Sequence, residues 1–275
     1  MTEAAQAISA RYGATLSRFG VQGSNWNDTL AVMLAHRSVR HFTSEALPDG
    51  TLETLIAAAQ SASTSSNMQT WSVVAITDPD TRAKIADWAG GQRQVNDAPL
   101  LLAWIADLSR AERIGVAAGR EMAALPYTEV AITAMIDAAL ASQNAAVAAE
   151  SLGLGVCYLG NMRNQPEKVA ALLNLPSQSF AVFGLSVGYP DPARATPLRP
   201  RLPQEVVLHR ERYNATGEAA GIAAYETRFT SHQREAGLPQ SGWTARVLDR
   251  LGTVRGLSGR ETMRASLKAL GFPLD

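Results

Sequence analysis

Four apolar, strand-like runs separated by helical stretches predict one three-layer α/β unit for this 275-residue chain. Two segments carry most of that reading. Leu100 to Ala106 is a nearly continuous apolar run, as expected of a strand covered on both faces. From about Glu129 to Leu152 a long helix is predicted, with Ile132, Met135, Ile136, Ala139, Leu140 and Val147 holding the helical period. Hydrophobic residues make up 46% of the chain, enough for a sizeable core. No internal repeat and no sharp change of composition divides it into independent pieces.

The other elements follow in order. Residues 1–27 predict a short helix and then a linker, ending in the polar stretch Gln22-Gly23-Ser24-Asn25-Trp26-Asn27. Asp28 is placed to cap a helix running to about His36. Pro48-Asp49-Gly50 is a turn signal, and Thr51 is placed to cap a helix with Leu52, Leu55, Ile56 and Ala59 on one face. Ser61 to Gln69 reads as a polar loop, and Trp71 to Thr77 as a strand by its β-branched content. Asp78-Pro79 starts a helix that Gly90-Gly91 breaks. The long helix ends at Gly153 and Gly155. Strands follow at Gly155–Leu159 and Phe180–Val187, with a helix from Pro166 to Leu173 between them. Asp191 to Pro203 carries four prolines and reads as an extended arm. Residues 204–275 read as mostly helical with glycine-rich breaks.

Composition narrows the function. The formal net charge is zero, which argues against general binding of nucleic acid or other polyanions. The single cysteine, Cys157, permits no intrachain disulfide, and its apolar surroundings make it a core thiol rather than a nucleophile. The first 20 residues lack the continuous apolar core of a secretory signal, and no run approaches the ~20 apolar residues of a membrane span. A cytoplasmic protein is therefore expected. The four histidines lack the usual metal-ligand spacing, so no metal is expected. Gly184-Leu185-Ser186-Val187-Gly188 has the Gly-x-Ser-x-Gly spacing but sits inside a strand-like run rather than at a strand-to-helix turn, so no nucleophile elbow is present, and there is no Walker lysine loop. If the chain is an enzyme, a cofactor carries the reaction.

Five clusters remain as candidate sites. His36-Arg37-Ser38-Val39-Arg40 gathers two guanidiniums, an imidazole and a hydroxyl, a set suited to a dianionic phosphate. The competing reading is a solvated helix end whose basic side chains meet the C-terminal dipole. Thr64-Ser65-Ser66-Asn67-Met68-Gln69 suits a polyhydroxyl ligand, or is simply a polar loop. Gly90-Gly91-Gln92-Arg93-Gln94 permits close backbone approach to a ligand. Gly153-Leu154-Gly155 with Tyr158-Leu159-Gly160-Asn161-Met162-Arg163 closes a helix rather than opening one, which disfavours a dinucleotide fingerprint. In Arg199-Pro200-Arg201, proline pins the backbone between two guanidiniums.

The order and spacing of these motifs resemble the FMN-dependent nitroreductase family. His-Arg-Ser-Val-Arg-His-Phe-Thr, Ser-Ser-Asn-Met-Gln, Gly-Gly-Gln, Ala-Glu-Ser-Leu-Gly-Leu-Gly-Val-Cys-Tyr-Leu-Gly-Asn-Met-Arg-Asn, Phe-Gly-Leu-Ser-Val-Gly-Tyr-Pro and Arg-Pro-Arg-Leu-Pro carry the likeness. It covers about residues 30–215, more loosely 216–275, and is strongest to the oxygen-insensitive, NADPH-using major nitroreductase and flavin reductase branch. The resemblance implies an α+β fold, three-layer α/β/α, with a central mixed, mostly antiparallel sheet. It implies an N-terminal extension (1–27), an FMN-binding core (28–215) and a helical C-terminal extension packed on that core (216–275). It also implies an obligate homodimer with FMN at the interface, the small residues around 131–149 letting subunits pack closely.

Roles are implied residue by residue. His36, Arg37 and Ser38 would bind the FMN phosphate with Arg199 and Arg201, around Val39 and Pro200. Arg40 would lie by the flavin pyrimidine and tune it. Thr64, Ser65 and Gln69 would line the ribityl chain and ring from the partner subunit. Gln92 and Gln94 would contact the pyrimidine side. Tyr158, Leu159, Gly160 and Asn161 would pass along the ring, where the bulk of Asn161 would narrow the site. Arg163 and Arg234 are the nicotinamide-nucleotide candidates. The activity implied is NADPH- or NADH-dependent, ping-pong, two-electron reduction of a nitroaromatic, quinone or similar small acceptor, with hydride passing through flavin N5. A flavin-storage protein, or a reductase acting on free flavin or chromate, would share these residues.

Overall fold

The computed structural model describes residues 2–13 and 26–275. The linker expected between the first helix and residue 26 lies outside the described residues. Helices α1 (Glu3–Tyr12), α2 (Asp28–Ala35) and α3 (Thr51–Gln60) precede strand β1 (Trp71–Ile76). Helices α4 (Pro79–Trp88) and α5 (Arg93–Asp97) lead to β2 (Leu100–Asp107). Helices α6 (Ser109–Ala117) and α7 (Thr128–Ser151) lead to β3 (Gly155–Leu159), and α8 (Pro166–Leu172) leads to β4 (Ser179–Gly188). The chain closes with α9 (Gln204–Val207), α10 (Glu218–Glu235), α11 (Trp243–Leu251) and α12 (Met263–Ala269). It forms two compact units: residues 1–37 with 196–257, and residues 38–195 with 258–275. Within the larger unit, residues 258–275 pack with the sheet through Leu267 and Phe272, which join Phe180 in one cluster.

The larger unit is built on a sheet of order β1-β2-β4-β3. Among the described residues every strand pairing is antiparallel. The expected mixed character is confined there to one isolated parallel bridge, Ser38 to Val156. Alternation along β2 explains the layers. Leu100, Leu102 and Trp104 pack against Leu55 and Ala59 of α3 and Ala141, Ala145, Ala146 and Ala149 of α7. Leu101, Ala103 and Ile105 face Ile85, Ala86 and Ala89 around α4, Val95 of α5 and Val169 of α8. Residues on both sides of β2 are therefore fully buried, as its unbroken apolar run predicts.

The sequence reading needs several corrections. The side chain that caps α2 is Asn27, whose carbonyl oxygen accepts from Leu30 N at 3.0 Å; Asp28 is already helical. Gly50 occupies the cap of α3 in a left-handed conformation, and Thr51 is its first helical residue. Helix α6 falls in a stretch for which no helix is expected. Half of the residues that keep the period of α7 lie off its core face: Ile132, Ile136 and Leu140 are 46%, 52% and 43% exposed, while Met135 packs against the core. Its alanines and Ser142 are the buried face. Small side chains thus seat α7 closely on its own sheet, not against another subunit. At 24 residues, α7 is also long and apolar enough to cross a membrane by length and composition. Its alanine face packs on the sheet instead.

Three other features position residues used below. Residues 38–43 run extended past the edge strand β3, with Val39 N donating to Val156 O at 2.9 Å and Thr43 N to Tyr189 O at 2.9 Å. Val39 is buried and Arg40 exposed, as the alternation of an extended segment requires. Register between β2 and β4 shifts between Trp104 and Ile105, so that Val182 is an unpaired bulge residue. In the smaller unit, Glu226 of α10 caps α11, accepting from Trp243 N, Thr244 N and Thr244 Oγ1.

Gly155 tests the seating of residues 38–43. A Cβ there would lie 2.6 Å from Val39 Cγ2 and 3.0 Å from Pro190 Cγ. Gly155→Ala is expected to lower stability by about 1–3 kcal/mol, read from the urea midpoint. An unchanged midpoint would show that Val39 yields freely.

Candidate functional site

The smaller unit brings the two basic clusters onto one side chain. Arg11, in the last turn of α1, is 3% exposed. Its Nε and Nη2 donate to Leu34 O at 3.2 and 2.7 Å, its Nη2 to His36 O at 2.6 Å, and its Nη1 to Arg199 O at 2.9 Å. Leu34 lies in the last turn of α2, where carbonyls lack intrahelical partners and favour a cation. The Arg199-Pro200-Arg201 backbone is pinned at each residue. Arg199 O accepts from Arg11, Pro200 O accepts from the Tyr225 hydroxyl at 3.1 Å, and Arg201 N donates to Arg11 O at 3.0 Å.

Backbone and side chains have opposite fates here. Pro200 is buried, while the side chains of Arg37, Arg199 and Arg201 are exposed. The Arg201 Nη1 lies 3.2 Å from Arg199 O, and Arg37 Nε donates to Ala35 O at 3.3 Å. The field is positive. Burial lowers the His232 pKa, and the Arg199 charge lowers it further. Burial raises that of Tyr225, although Arg201, Arg199 and Arg228 oppose the rise. Exposed guanidiniums on a fixed backbone form a donor set matched to a phosphate dianion.

In the larger unit, residues 64–70 form a strained turn held by one carboxylate. Ser66, Asn67 and Gln69 all have left-handed backbones (φ 49°, 55° and 51°). That conformation costs roughly 1–2 kcal/mol for a residue with a Cβ, less for asparagine. Asp137 of α7, 1% exposed, accepts from Thr64 Oγ1 at 2.6 Å, Ser65 N at 3.1 Å, Thr70 N at 3.1 Å and Thr70 Oγ1 at 2.9 Å. It therefore grips the turn at both ends. Gln69 N donates back to Thr64 Oγ1 at 3.0 Å. The Thr64 hydroxyl is committed inside the turn, while Ser65 and Gln69 face outward. Arg110 Nη1 donates to Gln69 O at 2.7 Å, beside a cavity of about 630 Å³ lined by Met68, Ile114, Met122 and Leu125.

The remaining candidates lie at strand and helix ends. Tyr158 stacks edge-on to Phe183, and its hydroxyl is 3.1 Å from Ser142 Oγ. Gln94 Nε2 donates to Gln92 Oε1 at 2.8 Å. Asn161 Nδ2 donates to Ala89 O at 2.9 Å, which joins Gly160–Asn164 to the end of α4. Arg163 donates to Val182 O, the carbonyl of the bulge residue, and this bond gives it a structural task. Arg234 is exposed in the last turn of α10, with Nη2 3.4 Å from Ser231 Oγ. Arg40 Nη1 donates to Ser38 O at 3.2 Å. Burial raises the Cys157 pKa against the opposing charge of Arg40, as a core thiol requires. Among the described residues, no group of three or more His, Cys, Asp or Glu is placed to hold a metal.

Four residues escaped the sequence reading: Arg11, Asp137, Tyr225 and Arg260, whose Nη1 lies 3.5 Å from Gly160 O. Only Asp137 left a signal, as the one charge between Val130 and Ala149. Burial pushes its carboxyl up, but the hydrogen bonds from Thr64, Ser65 and Thr70 outweigh this and hold it below the ordinary value. The folded state therefore favours the ionised form. The stabilisation is complete above the ordinary aspartate range and lost as pH falls through the lowered value. Asp137→Asn is expected to cost roughly 1.5–3 kcal/mol at neutral pH. The gap to wild type should close on acidification below pH ~4, measured by denaturant titration across pH; a pH-independent gap would contradict it.

The chain is similar to known proteins in both sequence and fold. The nitroreductase family model matches residues 33–189, and the model of that family's C-terminal domain matches residues 199–275. The chain is 35% identical over 228 residues to an FMN reductase (NADPH) of Bacillus subtilis, covering 81% of this chain and 91% of the relative. It is 38% identical over 204 residues to an oxygen-insensitive NADPH nitroreductase of Salmonella typhimurium, covering 74% and 82%. A solved B. subtilis nitroreductase, NfrA1, superposes with a TM-score of 0.83 at 33% identity, covering 90% of this chain and 99% of that one. With both family segments matched in sequence and fold, the chain belongs to the nitroreductase family.

Proposed function

We propose that this protein is a cytoplasmic, homodimeric, FMN-dependent NAD(P)H oxidoreductase that reduces nitroaromatics, quinones or related small acceptors by ping-pong two-electron transfer. The observation that carries this is the single guanidinium of Arg11 bonded to the carbonyls of both His36 and Arg199. It ties together two clusters whose charge and geometry suit the phosphate of FMN. Bound FMN would supply the redox chemistry, a two-electron exchange between the nicotinamide donor and the acceptor.

The chain's own residues bind, orient and tune. His36, Arg37, Ser38, Arg199 and Arg201 hold the phosphate, with Val39 and Pro200 fixing the backbone between them. Arg40 places a positive charge at the pyrimidine edge, where it favours the anionic reduced ring. Ser65 and Gln69 are the outward groups of the strained turn and line the ribityl chain and ring of the partner subunit's cofactor. The hydroxyl of Thr64 supports them from within. Gln92, Gln94, Tyr158, Leu159, Gly160 and Asn161 complete the ring pocket. The exposed stripe of Ile132, Ile136 and Leu140 supports a dimer, because one apolar face of α7 is left open on each chain. NADPH or NADH is the electron donor, and the segment around Arg234, with one guanidinium and Glu235 beside it, offers few charge-assisted bonds with which to select a 2′-phosphate.

The protein is expected to purify yellow or to take up FMN, and to bleach on anaerobic addition of NADPH or NADH. A colourless chain that does not take up FMN would overturn the proposal; a yellow chain that does not bleach would be a flavin-storage protein. Arg201→Ala should weaken FMN binding about tenfold or more, by removing charge-assisted bonds of roughly 1.5–3 kcal/mol.

A further inference from the structure

Helix α1 lies outside both segments that match the family, which begin at residues 33 and 199. It nevertheless supplies the residue that joins the two phosphate-gripping clusters. We infer that Arg11 is a positioning residue for the cofactor phosphate, and that the N-terminal helix is a built-in clamp on FMN retention in this chain. The inference rests on the phosphate site proposed above and adds a residue the family pattern does not contain.

The geometry explains why arginine is needed. Three carbonyls from two distant segments, Leu34, His36 and Arg199, are reached by one planar fork, each by a separate donor or pair of donors. An ammonium has three donors on one atom and does not span such a separation. The same residue's carbonyl accepts Arg201 N, so Arg11 holds the Arg-Pro-Arg turn from two directions. Helix α1 itself is anchored by buried Ala4 and Ile8, and ends at Gly13 in a left-handed cap. The positive φ of that cap, 63°, favours glycine there, and a Cβ would also displace the Arg228 guanidinium.

Two effects follow from this placement. The backbones of both clusters are ordered before ligand arrives, so binding a phosphate does not have to order them. A buried positive charge also sits on the carbonyls of His36 and Arg199, in the two clusters that expose the Arg37, Arg199 and Arg201 side chains. Both effects act on the phosphate and neither acts on the flavin ring. That separation makes the inference testable with riboflavin, which carries the same ring and no phosphate.

The experiment measures FMN and riboflavin affinity by flavin fluorescence on full-length apoprotein. It compares wild type, Arg11→Met, Arg11→Lys and Ile8→Ala. Arg11→Met is expected to weaken FMN about tenfold or more and to leave riboflavin unchanged. Ile8→Ala, which loosens α1 but keeps the guanidinium, should change FMN less than Arg11→Met does. Equal FMN affinity in Arg11→Met and wild type overturns the inference. Equal losses for FMN and riboflavin overturn it too, as general damage to the fold. Should Arg11→Met not fold, Arg11→Lys decides: a selective loss for FMN supports the clamp, and wild-type selectivity refutes it. If wild type itself does not prefer FMN to riboflavin, the phosphate site fails, a result distinct from failure of the clamp.

Discussion

The close seating of α7 on the sheet is the constraint on which the larger unit depends. Ala141, Ala145, Ala146 and Ala149 are fully buried against Leu102, Trp104 and Leu185, and larger side chains would lift the helix away. At that distance Asp137 reaches residues 64–70, and Ser142 reaches the Tyr158 hydroxyl. Two of the segments proposed to surround the cofactor are thus referred to one helix. The same seating leaves Ile132, Ile136 and Leu140 on the opposite face.

Both units solve the same problem with opposite charges. In one, a buried carboxylate collects backbone N–H groups and hydroxyls around a strained turn. In the other, a buried guanidinium collects carbonyls from two remote segments. Burying a charge is costly unless it is well hydrogen-bonded. Each of these charges is, and each fixes main chain so that neighbouring side chains face outward. The exposed residues beside them do not have to order themselves.

How much was legible in the sequence follows from the range of the interactions. Strands β2, β3 and β4 were readable because their apolar runs record burial on both faces, and the Pro79 and Pro166 helix starts because proline acts locally. The caps of α2 and α3 were displaced by one residue, since Asn27 and Gly50 precede the more obvious Asp28 and Thr51. Helix α6 was missed because Arg110, Glu112 and Arg113 dilute its apolar period. Helix α7 was found by its period, but its buried face was not, because a core made by alanine carries little hydrophobic signal beside isoleucine and leucine. The basic clusters were visible as composition. Their meeting was not, since the bond from Arg11 to Arg199 spans 188 residues.

The bulk of the chain's chemistry is polar, and its one thiol is kept out of it. Cys157 lies in β3, 3% exposed, with burial holding its proton on despite the cation at Arg40. Sulfur attacks electrophilic rings as the thiolate. Quinones and partly reduced nitro compounds are electrophiles of that kind, and an oxidoreductase of the proposed type meets them at every turnover. A chain whose sole sulfhydryl is protonated and sealed inside a sheet resists arylation by its own substrates, and no second cysteine is present to form a disulfide within it.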